Sequence, residues 1–437
     1  MTAPPPTPAT PRPARWLAPH VGRSVSGLSR AAGRGEGSVI GGKVALLVDR
    51  GLAARLAAPM TVALVSGTNG KTTTTTLLAK GLAACGPTAT NKQGANLASG
   101  LAGALLASPE ATYAALEVDE AVLPWALAQL RPRVVALLNL SRDQLDRLHE
   151  VRATAERWRR ALALDPPALV VANADDPLVV WATDGLDGRA WVGAGLAWQL
   201  DSSACPWCEA DLDFDADGWR CPACGRRRPP PDYRLAGDTL VDRAGAAHPL
   251  GLALPGRSAR ANAAMAWAVI DQLGLPTDEA TARWGEIASI EGRYQRVAHR
   301  GTELVLHLAK NPAGWADLLD LVAGGSGPLV LVLNAQGQDG RDPSWIWDVP
   351  FERLAGRRAF CLGERGLDLA VRLDYAGLDV TRVADLDEAV DRVVTERRDA
   401  DPSDATDATD PAPVDLIANY SAFQQVRRHL GGAGGSS

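Results

Sequence analysis

Ser66-Gly67-Thr68-Asn69-Gly70-Lys71-Thr72-Thr73 decides how the rest of this 437-residue chain is read. The segment follows the apolar, β-branched run Met60–Ser66, which predicts a strand, and it opens a helical pattern from about Lys71. Glycines at a strand end let the backbone turn so that several N–H groups face one point. The N-terminus of the next helix adds positive potential at that point. Such a loop cradles phosphates, through Gly67, Thr68, Asn69, Gly70, Lys71, Thr72 and Thr73. Lys71 is placed to reach the β and γ phosphates of a nucleotide, and Thr72 to offer its hydroxyl to Mg2+. The plain alternative, a glycine turn before a helix, does not account for Gly-Lys-Thr in this strand–loop–helix context.

Outward from the loop, Thr112–Val118, Arg133–Leu140 and Ala168–Ala172 are further strand candidates, separated by helical stretches such as Asp143–Leu164. This alternation predicts a parallel sheet with helices on both faces. Glu117-Val118-Asp119-Glu120 falls at a strand end, where a carboxylate can share Mg2+ with Thr72, and Glu117 is the first choice. A solvated acidic turn is the competing reading. Asn139, Arg142, Asp143 and Asp146 occupy the next strand end, the edge at which open α/β sheets bind ligands. Beyond a hinge near Gly292, the runs Thr302–Leu308, Pro328–Asn334, Arg358–Leu362, Val380–Val383 and Val414–Ile417 predict a second, smaller parallel sheet. The expected organisation is a disordered extension over 1–37, a P-loop domain over 38–292, an α/β domain over 293–430 and a flexible tail over 431–437. Within it, 38–58 is a short amphipathic lead-in and 399–413 a solvated loop.

A net charge of -6 excludes the strongly basic field of a nucleic-acid binder. No run of eighteen apolar residues exists, so no transmembrane helix is predicted. The first 37 residues are rich in Pro, Ala, Arg and Gly and lack the apolar region of a secretory signal, although a short helix is allowed near Trp16. Six cysteines, four of them in two close pairs, fit a reducing compartment with a metal site, so a cytoplasmic location is expected. The pairs Cys205-Pro-Trp-Cys208 and Cys221-Pro-Ala-Cys224 lie inside an insertion over 200–232. Four thiolates at that spacing close a tetrahedral Zn2+ site with no open position, a structural ribbon. Asp211, Asp213, Asp215 and Asp217 against Arg226–Arg228 leave no evident basic groove on it.

Several motifs, in this order, resemble the Mur ligase superfamily. Gly67–Thr73 is similar to that family's phosphate loop, and Asn139-Leu-Ser-Arg-Asp-Gln-Leu-Asp-Arg147 to its Asn…Asp-His-Leu-Asp stretch. Asn173-Ala-Asp-Asp-Pro177, Leu254-Pro-Gly256…Asn262-Ala263 and Gly292-Arg293 complete the series. Within the superfamily the chain most resembles the MurT branch, through Arg142-Asp-Gln144, the four-cysteine insertion, Lys310-Asn-Pro-Ala-Gly314 and Asp339-Gly-Arg-Asp-Pro-Ser-Trp-Ile-Trp-Asp348. Residues 38–430 carry the likeness. The fold it implies is a Mur ligase-like central P-loop domain of α/β class with a four-cysteine zinc-ribbon insertion, then a smaller Rossmann-like α/β domain.

The resemblance also implies an activity: ATP-dependent amidation of the D-glutamate α-carboxylate of lipid II to D-isoglutamine, with ammonia from a GatD-type glutaminase. ATP and Mg2+ would be the cofactors, with Asn173, Asn262, Arg293 and Lys310 among the nucleotide contacts and Lys71 and Glu117 catalytic. Asp342 would orient the partner's catalytic histidine, with Asp348 the second choice and a loop acid capping the next segment the plain alternative. Cys85 and Cys361 lie on no nucleophile elbow and read as buried structural thiols, which is why ammonia must come from elsewhere. The chain departs from the superfamily in having Gln144 for a histidine and no lysine between Lys92 and Lys310, which excludes the usual carbamylated lysine. Two rivals remain at this level. A folylpolyglutamate synthetase-like ligase would use a free amino acid as nucleophile, and a P-loop and ribbon module would bind nucleic acid without turnover.

Overall fold

The computed structural model describes residues 12–31, 38–91, 94–142, 148–195, 198, 200–290, 293–325, 327–400 and 413–433. The first half of the chain supplies β1 (Thr61–Ser66), β2 (Thr88–Thr90), β3 (Tyr113–Glu117), β4 (Val134–Leu137), β5 (Leu169–Asn173) and β6 (Arg189–Gly193). After the small hairpin β7 (Asp213–Asp215) and β8 (Gly218–Arg220) come β9 (Tyr233–Ala236), β10 (Thr239–Val241) and β11 (Ala247–Pro249). The large sheet has the order β11-β10-β9-β6-β5-β4-β1-β3-β2. Its pairings from β2 to β9 are parallel, and β10 and β11 extend it antiparallel. A parallel sheet was expected, without the strands over 233–249. The difference follows from chain length, because the two-residue link Gly237-Asp238 between β9 and β10 is long enough only for a hairpin.

Alternation along β1 explains why both faces are covered. Val62 and Leu64 join a core with α3 (Leu52–Ala57), α5 (Ala98–Ala107), α6 (Leu123–Leu130), α7 (Leu148–Leu164) and α8 (Pro177–Ala182). Ala63 and Val65 point the other way, into α4 (Lys71–Cys85), α9 (Arg257–Gln272) and α10 (Thr277–Thr281). Two helices precede this unit, α1 (Arg12–Ala31) and α2 (Ser38–Val48). Disorder over 1–37 therefore does not hold for 12–31. Its polar, proline-bearing composition cannot form a core alone, but Ala18 is fully buried in a small cluster with Ala45, Leu52 and Leu106, so tertiary packing supplies what composition lacks.

The second sheet is built from β12 (Tyr294–His299), β13 (Thr302–Leu308), β14 (Leu329–Val332), β15 (Arg358–Leu362), β16 (Asp379–Arg382) and β17 (Val414–Ala418). Their order is β12-β13-β17-β14-β15-β16, with only β12 antiparallel. Leu329 and Leu331 face α11 (Pro312–Val322) and α12 (Gly366–Tyr375), while Val330 and Val332 face α13 (Leu386–Ala400) and α14 (Tyr420–Ala433). Helix α14 runs to Ala433 and so takes in the first three residues of the expected flexible tail. The expected hinge at Gly292, the acids Asp143 and Asp146, and Gln144 lie outside the described residues, as do residues 401–412 of the acidic loop.

Candidate active site at the phosphate loop

Strand β1 pairs with β3 on one side and β4 on the other, so the chain leaves it for opposite edges of the sheet. A crevice opens at the carboxyl end of β1, and the phosphate loop fills it. Gly70, at the N-cap of α4, has φ 86°. A Cβ there would stand 2.2 Å from Asn262 Oδ1, so glycine is required both for the backbone turn and for the approach of α9. Asn139 clamps the loop from the end of β4: its Oδ1 accepts from the Asn69 N–H at 2.9 Å and its Nδ2 donates to the Asn69 carbonyl at 3.0 Å. The Thr68 hydroxyl donates to the Ser141 carbonyl at 3.1 Å and accepts from the Ser141 N–H at 3.0 Å.

Two carboxylates from the end of β3 divide between the loop's polar residues. Thr72 Oγ1 donates to Glu117 Oε2 at 2.9 Å, and Asn96 Nδ2 holds the other oxygen of Glu117 at 3.2 Å. Lys71 Nζ pairs with Glu120 Oε2 at 3.0 Å and donates to the carbonyls of Gly67 and Thr68. Asn91 fixes the backbone of Glu117 through both its N–H and its carbonyl. Glu117 and Thr72 are thus adjacent and buried, a hydroxyl–carboxylate pair of the kind that holds Mg2+, a hard cation preferring oxygen. The ion pair of Glu120 with Lys71 is a feature the acidic motif alone did not assign.

The second sheet reaches the same loop. Arg293 Nη2 donates to Thr72 Oγ1 at 3.4 Å. Asn311 caps α11 by accepting from the Gly314 N–H at 2.9 Å, and its amide exchanges hydrogen bonds with that of Asn69. Lys310 stands beside it, half-buried between β13 and α11. A cleft between the two sheets is lined by Asn69, Gly70, Thr72, Asn262, Arg293 and His307. A neighbouring recess shares Asn69, Gly70 and Asn262 and adds Asn173 and Asp176. Of the four residues named from motif likeness, Asn173, Asn262 and Arg293 therefore line the recesses at the loop, and Lys310 is the sequence neighbour of Asn311, which touches that loop.

Two acids in this region escaped sequence reading. Asp317 on α11 lines both recesses, and burial pushes its carboxyl up to about 6 against the pull of Arg257. Asp176 caps α8 and accepts from the N–H groups of Leu140, Leu178 and Val179, yet complete burial pushes it up to about 6 as well. Its sequence signs were membership of the Asn173–Pro177 motif, in which it was not singled out, and its place before Pro177, an N-cap pattern.

The cysteine insertion leans on this wall. Cys205 and Cys224 sulfurs lie 3.7 Å apart, those of Cys208 and Cys221 3.5 Å, and all four are within 4.8 Å of one another. A tetrahedron of thiolates at the usual Zn–S length has edges of about 3.8 Å, so the donor set fits zinc, while a disulfide would need about 2 Å. Trp219 of β8 donates to the Ala174 carbonyl at 3.1 Å, and Arg228 pairs with Asp175. Both contacts fall inside the 173–177 motif that walls the recess.

The Asp339–Asp348 segment splits into three roles. Asp339 is buried and accepts from the N–H groups of Tyr420 and Ser421, capping α14. Asp348 pairs at 2.9 Å with Arg142, which also pairs at 3.0 Å with Asp201, so it ties the two sheets together. Asp342 is exposed; the Ser344 hydroxyl, then the Ser344 N–H at 2.9 Å, and the charge of Arg365 hold its carboxyl below the usual range.

Known proteins resemble this chain in sequence and in fold. Residues 65–186 match the Mur ligase middle domain, and residues 308–423 the MurT ligase C-terminal domain. The chain is 29% identical over 407 residues to the lipid II isoglutaminyl synthase (glutamine-hydrolyzing) subunit MurT of Staphylococcus aureus, covering 85% of this chain and 90% of that one. It is 29% identical over 381 residues to the corresponding subunit of Streptococcus pneumoniae, covering 80% and 85%. Among solved structures, a pseudomurein peptide ligase type C from Methanothermus fervidus superimposes with TM-score 0.61 at 17% identity, covering 86% of this chain and 79% of that one. MurF from Acinetobacter baumannii does so with TM-score 0.60 at 16% identity, covering 89% and 80%.

Proposed function

We propose that this member of the Mur ligase superfamily, with its MurT-type C-terminal domain, is the ATP-using subunit of a lipid II isoglutaminyl synthase. The reaction would convert the α-carboxylate of the D-glutamate residue of lipid II to the amide of D-isoglutamine. The observation that carries the reading is the meeting at one loop of Lys71, the Thr72–Glu117 pair and Arg293 from the second sheet. In the chemistry we assign, a carboxylate oxygen attacks the γ-phosphorus of ATP and the bond to the β–γ bridging oxygen breaks, releasing ADP. Ammonia then adds to the carbonyl carbon of the acyl phosphate, phosphate leaves, and the nitrogen gives up a proton.

Positioning and charge neutralisation carry most of such a transfer. Lys71 and the loop N–H groups would hold the phosphates, and Thr72 and Glu117 a Mg2+ that screens their charge. Asn69–Asn311 and Arg293–Thr72 keep the two sheets closed over the loop, which excludes water from the acyl phosphate. The four cysteines would bind Zn2+ as a structural staple.

Ammonia would come from a GatD-type glutaminase in a heterodimer. Cys361 is buried in β15, where burial pushes its thiol up to about 12, and Cys85 is shifted in the same direction, so neither supplies a thiolate. The partner's place would be the surface around Asp342. Trp347, five residues after Asp342, is exposed and its ring lies 5.6 Å from that of Tyr375 on α12, where Leu367 and Val371 are also exposed.

The test is amidation of lipid II in detergent by the purified chain with ATP and ammonium. Amide and ADP should form together, and Lys71→Ala should reduce both by at least about a hundredfold. Amidation that survives Lys71→Ala, or joining of a free amino acid in place of ammonia, would sink the proposal.

A further inference from the structure

We infer that the N-terminal helix pair docks this protein onto a surface of anionic lipid headgroups. Helix α1 is fastened to the body through its small residues. Ala18 is fully buried, and a Cβ at Gly41 of α2 would lie 3.2 Å from the Cβ of Ser26 and closer still to its hydroxyl. Leu46 and Val48 of α2 pack inward against this cluster, but six other large apolar side chains are left outside. Trp16 is 68% exposed, Leu17 44% and Leu28 70%; on α2, Val39 is 42%, Ile40 47% and Leu47 76% exposed. These six are nearly half of the thirteen large exposed hydrophobics among the described residues, although they fall in one 32-residue stretch.

Charge identifies what would cover them. The first 50 residues hold seven Lys and Arg against Glu36 and Asp49, in a chain whose net charge is -6. Helix α1 contains four arginines and no acid, Lys43 is exposed on α2, and Asp49 is buried against Arg55. An acidic body with one cationic, aromatic-bearing end is polarised so that this end meets an anionic bilayer and the remainder is repelled. Trp and Leu then enter the headgroup boundary while the cations stay among the phosphates. No helix among the described residues is long and apolar enough to cross a membrane, so the association is peripheral. The inference goes beyond the proposed reaction and does not depend on it, although a lipid-linked acceptor would be met on the same surface.

Co-sedimentation of the full chain with vesicles tests it, using about one-third phosphatidylglycerol in phosphatidylcholine against phosphatidylcholine alone. Binding is expected to the anionic vesicles only and to fade at high salt. The variant Trp16→Ser/Leu17→Ser/Leu28→Ser, with its circular dichroism unchanged, should bind at least about tenfold more weakly. Lys43→Glu should lose about fivefold or more. No binding, equal binding to both vesicle types, wild-type binding by the triple variant, or capture by polyglutamate but not by vesicles would each overturn it. The vesicles contain no lipid II, so a failure here leaves amidation in detergent as an independent result.

Discussion

Asn69 and Asn311, 242 residues apart in sequence, exchange a reciprocal pair of amide hydrogen bonds, each 3.3 Å long. One sits at the tip of the phosphate loop and the other caps α11 of the second sheet, where it is fully buried. Losing either amide removes the bridge, but only Asn311 also caps a helix. Asn311→Ala should therefore cost about 1 kcal/mol more stability than Asn69→Ala, the usual worth of an N-cap. Both variants should raise the KM for ATP by a similar factor. Chemical denaturation and steady-state kinetics read the two effects separately, and equal stability losses would contradict the capping role.

The division of labour between Glu117 and Glu120 gives a second prediction. Glu117 holds the Thr72 hydroxyl and Glu120 holds Lys71. Glu117→Gln should lower turnover by about a hundredfold or more and raise the Mg2+ concentration needed for half-maximal rate. Glu120→Gln leaves the hydroxyl–carboxylate pair intact, so its Mg2+ requirement should stay near that of the wild type. A Mg2+ titration of both variants decides, and an unshifted requirement in Glu117→Gln would remove Glu117 from the metal site.

Much of this loop was legible because its chemistry is local. The strand, the turn and the helix that present Gly67–Thr73 are consecutive, so a short window contains every cause. The same holds for the four cysteines, whose spacing alone brings them together. Asn311 was visible only as part of a motif, because its partner Asn69 lies on another sheet and no period or spacing connects them. Asp317 and Asp176 were missed for a related reason. Their environments are set by residues from α9 and β4, and burial by distant segments leaves no mark on the sequence around an aspartate. Helix α1 was legible only as a short helix near Trp16, since composition spoke against order and packing against α2 orders a longer stretch, Arg12–Ala31.

Asp176 sets a pH dependence. Its carboxyl titrates near 6 in the folded chain against 3.8 as its ordinary value, so between those values the folded state keeps a proton that the unfolded state has released. Stability contributed by this group is then greatest below pH 4 and falls as pH rises toward 6, by about 3 kcal/mol at 1.36 kcal/mol per pH unit. Other carboxylates slope the opposite way, so the measurement is the difference between wild type and Asp176→Asn across that range. Their stability gap should shift steadily against the wild type from pH 4 to 6 and then level off. A gap independent of pH would mean that the three N–H donors, not burial, control the group.

Asp342 and Asp348 can be told apart by what each loss spares. Asp348 neutralises Arg142, whose side chain is only 7% exposed and is shared with Asp201. Removing it leaves part of a buried cation without its partner and loosens the join between the sheets, which harms every reaction the site performs. Asp342 is exposed and held by Ser344 of its own turn, with the charge of Arg365 nearby, and its depressed carboxyl is ionised at neutral pH, as an acid that steadies a histidine must be. With a glutaminase bound, Asp342→Ala should cut glutamine-driven amidation by about a thousandfold while ammonium-driven amidation stays near wild type. Asp348→Ala should depress both in parallel. Assays with the two nitrogen sources on the same preparations make the comparison, and parallel loss in Asp342→Ala would return that residue to an ordinary turn.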